Sequence, residues 1–206
     1  MASIPGYTPQ RQINFEVFKA AWKMFEKNPA VWLVTMLVVM VAVGIPVLVL
    51  SLFIPFIGGF LGSIPGMIIL VGMFRMAFKQ IRGVEVSVGD VFDVQDVLAP
   101  AAVAAAVFVL ATTAGFTVLI IPGFVIGGLL LFTFPLIADG KCKDGIEALK
   151  LSFETLQGEL VMAAVFYLVQ SVIVTAGILF CGVGIFVAGP IVLLAQALLY
   201  RAYFPE

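Results

Sequence analysis

The chain opens with apolar and charged positions alternating at helical spacing, then turns abruptly apolar. Phe15, Phe18, Trp22 and Phe25 recur every three or four residues, with Glu16, Lys19, Lys23 and Glu26 on the other side. This pattern predicts an amphipathic helix over residues 14–27. No Asp, Glu, Lys or Arg occurs from Asn28 to Phe74, from Val97 to Ala138, or from Leu160 to Tyr200. A helix crossing a bilayer core needs about 20 apolar residues, so each stretch has room for two crossings and a tight turn. Hydrocarbon offers no partner to backbone N–H and C=O groups, which leaves helices as the expected spanning form. The window Val31 to Leu50 alone holds thirteen Leu, Ile or Val residues. These favour insertion by roughly 5 kcal/mol.

The predicted fold is therefore all-α: a polytopic membrane protein with six transmembrane helices in three hairpins. The hairpins cover about residues 30–79, 99–138 and 160–203, within a single integral membrane domain spanning 1–206. The outer connections, 51–58 with Pro55, Ile120–Ile121 and 180–184, are short and uncharged. A second amphipathic helix over 144–158 places Ile146, Leu149, Phe153 and Leu156 on one face, with Glu147 and Lys150 matching Glu16 and Lys19 at a fixed shift. Both amphipathic helices lead into a hairpin and are expected to lie at the membrane interface. Phe18, Trp22, Phe25, Leu149, Phe153 and Leu156 are the candidate interface residues. Helix plus hairpin reads as a partial internal repeat around the central hairpin, with Arg75 and Phe78 echoed by Arg201 and Phe204.

Composition agrees with this pattern. Hydrophobic residues make up 63% of the chain, charged residues 11%, and the mean hydropathy is +1.20. Soluble domains carry about 25% charged residues. The first apolar segment is too long for the core of a secretory signal. All 11 Lys and Arg residues fall on one side if each charge-free stretch is a hairpin. The positive-inside rule makes that side the cytoplasm and places both termini there, with Arg75 and Lys79 snorkelling to the interface. A net charge of −1 gives no basic face for nucleic acid.

Between the first two hairpins, Ser87-Val88-Gly89-Asp90 fits a capping box at the start of a short helix over about 89–97. Asp90, Asp93 and Asp96 would then form a solvated face, a reading preferred to a cation site, while Val91, Val94 and Leu98 would lie on the membrane. Candidate chemistry is sparse. The chain has no His, and no charge is expected deep in a span, so catalytic residues, metal ligands and cofactor-binding residues are all expected to be absent. Ser63 and Ser171 have no neighbouring base. Cys142 is expected in a cytoplasmic loop and Cys181 at an outer tip, too far apart for a disulfide. The polar residues within spans are Thr35, Thr112, Thr113, Thr133, Tyr167, Gln170, Ser171, Thr175 and Gln196. Gln170, Thr175 and Gln196 are the candidate interhelical contacts of the last hairpin. Gly58, Gly62 and Gly66, Gly123 and Gly127, and the alanine run from Ala101 to Ala106 allow close helix approach. Pro46, Pro65, Pro135 and Pro190 should kink their spans.

An Ala-Leu-Lys-x-Ser-Phe-Glu helix (Ala148 to Glu154, with a weaker copy from Phe18 to Lys23) precedes a hairpin. With it occur Arg-Gly-x-x-Val-Ser-x-Gly-Asp-x-Phe from Arg82 to Phe92 and an Ile-Pro-Gly turn from Ile121 to Gly123. On these motifs the chain resembles small six-helix bacterial membrane proteins, namely the YciC-like inner-membrane families and the membrane domain of glycerophosphodiester phosphodiesterases. The resemblance implies residence in a bacterial inner membrane. It brings no catalytic residues, and without a phosphodiesterase domain it does not imply that activity. The expected function is a non-enzymatic accessory or scaffold subunit acting through helix packing and contacts with membrane lipids, other membrane-protein subunits or itself. The alternative is a small transporter or channel for an apolar or lipid-like substrate.

Overall fold

The structure, a computed structural model, describes residues 11–179 and 182–205, with the side chains of 55–61 outside that description. The expectations for Cys181, Phe180 and Gly58 therefore lie outside the described residues. Among these residues the chain is helical, and six segments are long and apolar enough to cross a membrane. The protein is a multi-pass membrane protein.

Helix α1 (Glu16–Lys27) ends at Asn28, and Pro29 opens α2 (Pro29–Val39), where its fixed φ suits the first helical turn. A π-turn at Met40–Gly44 joins α2 to α3 (Ile45–Phe53), with the Ile45 N–H reaching back to the Met40 carbonyl. The proline ring of Pro46 crowds the carbonyl four residues before it, and the wider turn relieves that clash. Helix α4 (Pro55–Ile81) returns, carrying Pro65 inside it. After two 3-10 turns, Val88–Phe92 and Gln95–Val97, come α5 (Leu98–Val118), α6 (Ile120–Leu129) and the short α7 (Thr133–Ala138). Helix α8 (Gly145–Leu156) is N-capped by the Asp144 carboxylate, which accepts from the Ile146 N–H. Helices α9 (Leu160–Leu179) and α10 (Ile185–Tyr203) complete the chain.

Each spanning helix packs against the next in sequence, α3 on α4, α5 on α6 and α9 on α10. Helix α10 touches α1, α2, α4 and α9, helix α4 touches α3, α5, α7 and α10, and α6 lies along α9. Burial is greatest in the half of the bundle that carries the charges. Every residue of α7 is buried, as are Leu193 to Ala195 and Ala197 to Arg201 in α10. At the opposite ends, Leu52, Phe53, Leu119 to Ile121 and Leu179 are exposed, an arrangement stable only against lipid or another apolar surface.

Each of the two amphipathic helices packs one face against the bundle. Phe25, Leu149 and Leu156 are buried in protein, α1 against α10 and α8 against α5 and α7. Trp22 and Phe153 remain exposed, and the Trp22 indole donates to Glu26 at 2.6 Å. Phe18 stacks on Phe166 at 5.2 Å. One helical stripe therefore serves two environments, an inner edge against the bundle and an outer edge left for the interface. The small residues pack within the chain. Gly62 faces Val47, and Ala101, Ala104 and Ala105 are fully buried.

Candidate functional site

A cleft of about 460 Å³ opens among the spanning helices. Met36 of α2 and Leu70 and Met73 of α4 form one wall, and α9 and α10 form the other. The three residues expected to bridge the last pair of helices, Gln170, Thr175 and Gln196, all line it, together with Tyr167 and Ser171. No charged side chain contributes to the lining. The spacing of 167, 170, 171 and 174 along α9 presents one helical face to the cleft.

One lining residue, Gln196, reaches out of the cleft to a broken helix. The fourth span runs as α6, then a turn at residues 130–132, then α7. Pro135 has no N–H, so the Leu131 carbonyl loses its normal partner four residues on. The Gln196 amide of α10 donates to that carbonyl, supplying the bond Pro135 cannot make. Gln170 of α9 donates in turn to the Gln196 side-chain oxygen at 3.3 Å and to the Val192 carbonyl at 3.4 Å. On the other flank, Ser152 of α8 donates to the Leu129 carbonyl at 2.8 Å and accepts from the Phe132 N–H at 3.0 Å. Unpaired backbone groups are costly in apolar surroundings, so side chains from two helices, α10 and α8, converge on the break, and Gln170 of α9 braces one of them. Ser152 is invisible to a search for polar residues in spans because its own helix is amphipathic. Pro135 itself signals an orphaned carbonyl at Leu131 and so a donor such as Gln196, but it gives no sign of Ser152, which serves Leu129 and Phe132.

The polar groups of the cleft are incompletely used. Gln170 is only 5% exposed, yet its two bonds are long. The Tyr167 hydroxyl and the Thr175 hydroxyl make no hydrogen bond among the described residues. Ser171 donates to its own helix, at the Tyr167 carbonyl, 2.8 Å. The Tyr167 ring lies against Gly127, where a Cβ would collide with it, and meets Phe124 edge-on at 6.2 Å. One glycine of α6 thus fixes the tyrosine at the cleft edge.

The charged end departs from expectation in three ways. First, residues 88–97 form two 3-10 turns rather than one helix, although the Ser87–Asp90 capping box is formed. Val91 and Val94 pack on α4 instead of lipid, and a Cβ at Gly72 would overlap the Val91 carbonyl. Second, Arg75 and Lys79 are held in ion pairs rather than extending freely. Arg75 pairs in bidentate fashion with Asp96 at 2.7 Å and donates to the Asp93 carbonyl, and Lys79 pairs with Asp90 at 2.8 Å. Their i,i+4 spacing on α4 faces both cations toward the acids, so Asp90 and Asp96 clamp the connection while Asp93 and Asp96 stay exposed. Third, a charge is buried in a span. Arg201 is 2% exposed, pairs with Asp139 at 2.7 Å, and lies 4.2 Å from the Phe78 ring centre. Asp139 also accepts from Tyr200 at 3.0 Å and is approached by Arg82 and Lys141. This joins the end of α7 to the end of α10.

Among the described residues no cluster of His, Cys, Asp or Glu has metal-site geometry. Cys142 is buried, and burial together with the nearby Glu147 carboxylate pushes its thiol up to about 11. No protein-family model matches the chain, and neither the curated proteins nor the solved structures contain a match.

Proposed function

We propose that the protein is a non-enzymatic membrane protein that takes a lipid-like molecule from the bilayer into the cleft between α2, α4, α9 and α10. The carrying observation is a charge-free cleft with polar lining groups, one of which, Gln196, bonds to a proline-broken span. Discontinuous helices of this kind line substrate sites in transporters, because the break frees polar groups at membrane depth. A volume of about 460 Å³ falls in the range of ligand pockets, roughly 300–1,000 Å³. In this reading the spans form three hairpins, the charged face is cytoplasmic and holds both termini, and the membrane is a bacterial inner membrane. The likeness to the YciC-like families accords with that placement.

A second reading has its own support. The segment Pro29–Phe53 is the most apolar of the six and the least buried, and α3 has no buried residue. Such a face suits an accessory subunit that docks on another membrane protein. Mass spectrometry of the protein released from native membranes with its surrounding lipid tests both. An enriched lipid lost in Val174→Trp, which fills the cleft, supports the ligand reading. A stoichiometric protein partner, with no lipid change in the variant, replaces it with the subunit reading.

A further inference from the structure

Resting on the cleft reading, we infer that its ligand is an uncharged amphiphile, a hydrocarbon chain ending in a hydroxyl or carbonyl group, and that Tyr167 and Gln170 select the head. The lining lacks Lys, Arg, Asp and Glu. An ionised head would enter low-dielectric surroundings with no counter-charge, a transfer that costs several kcal/mol. The charges at the ends of the helices that line the cleft, Arg75 and Lys79 of α4 and Arg201 of α10, are held in the pairs Arg75–Asp96, Lys79–Asp90 and Arg201–Asp139. What the cleft offers is neutral hydrogen bonding with unused capacity. The Tyr167 hydroxyl has a proton to donate. The Gln170 side chain, 5% exposed, has an oxygen for which the structure gives no donor and an amide held only by long bonds. A hydroxyl head satisfies both residues at once, and a carbonyl head satisfies the tyrosine. Met36, Leu70 and Met73 form the apolar wall opposite, suited to the chain, and methionine adapts to chains of differing shape.

The test uses two photoreactive probes with the same sixteen-carbon diazirine chain in lipid nanodiscs. One ends in a glycerol ester, the other in a sulfate ester. The glycerol probe should label peptides containing residues 167–175 and 189–196, and the sulfate probe should not. Tyr167→Phe keeps the ring packed on Gly127 and so keeps the fold. It should weaken labelling by the glycerol probe about fivefold, the loss expected for one neutral hydrogen bond. Equal labelling by both probes, or labelling unchanged in Tyr167→Phe, overturns head selection while leaving the cleft as a chain site. Labelling confined to outward helix faces, and unaltered by Val174→Trp, overturns the cleft reading itself.

Discussion

Replacing Gln196 by leucine removes the donor that serves the Leu131 carbonyl. The carbonyl is orphaned because residue 135 is proline, so the cost should depend on that proline. A buried carbonyl left without a donor costs about 1–3 kcal/mol in proteins. Interhelical bonds in membranes average nearer 0.6 kcal/mol, because the unfolded chain in the bilayer also finds partners. The Leu131 carbonyl lies at a break, where its own helix offers no substitute, so a loss of about 1.5 kcal/mol is expected. Part of it comes from Gln170, which loses its acceptor on Gln196. Pro135→Ala restores an N–H four residues after Leu131 and supplies the missing bond from within the helix. In that background Gln196→Leu should cost only about 0.5 kcal/mol, leaving a coupling of about 1 kcal/mol. Equilibrium unfolding in bicelles, measured for the wild type, both single variants and the double variant, yields this coupling. An identical cost of Gln196→Leu with and without Pro135 would refute the assignment of Gln196 as the replacement donor.

Asp139→Asn should destabilise by about 3 kcal/mol, since it removes the carboxylate that pairs with the buried Arg201 guanidinium at 2.7 Å. Asp139→Asn combined with Arg201→Met should recover part of that loss in the same unfolding assay. Gly128→Ala should cost about 2 kcal/mol through overpacking, because the added Cβ would come 2.6 Å from the Ala163 carbonyl oxygen and backbone cannot yield as a side chain can. A shift to alanine without loss of melting temperature would contradict the α6–α9 contact. Cys142 should resist maleimide at pH 7 and gain reactivity as pH rises toward about 11, where its thiol ionises. The sign for stability follows from the same shift. Above the ordinary thiol range the unfolded chain has released its proton while the folded chain still holds it, so stability falls as pH rises toward 11. Glu147→Gln should move the onset of labelling to lower pH. Rapid labelling at pH 7 would show that Cys142 is not buried.

Much of the architecture was legible because lipid imposes a simple rule on sequence. Charge-free runs long enough for two crossings, separated by charged segments, leave little choice but spanning helices. The amphipathic spacing of Phe15 to Phe25 and the Ser87–Asp90 capping box were equally readable, because both depend on neighbours within a turn or two. Gln170 and Gln196 could be placed on adjacent helices of one pair. Their shared cleft could not, because one of its walls comes from α2 and α4, more than 90 residues earlier in the chain.

Local chemistry by itself determined that the protein is helical, that it crosses a membrane several times, and that its charges fall outside three apolar blocks. Periodicity and hydrophobic length act along the chain, so one sequence suffices to read them. Only the tertiary structure decided that Arg201 is buried against Asp139, that Arg75 and Lys79 pair with Asp96 and Asp90, and that Phe25, Leu149 and Leu156 face protein. It also decided that Gln196 completes the helix broken by Pro135. Each of these depends on a partner from a distant helix. Which apolar stripe meets protein and which meets lipid is set by the packing of the whole bundle, since the two environments are almost equally apolar.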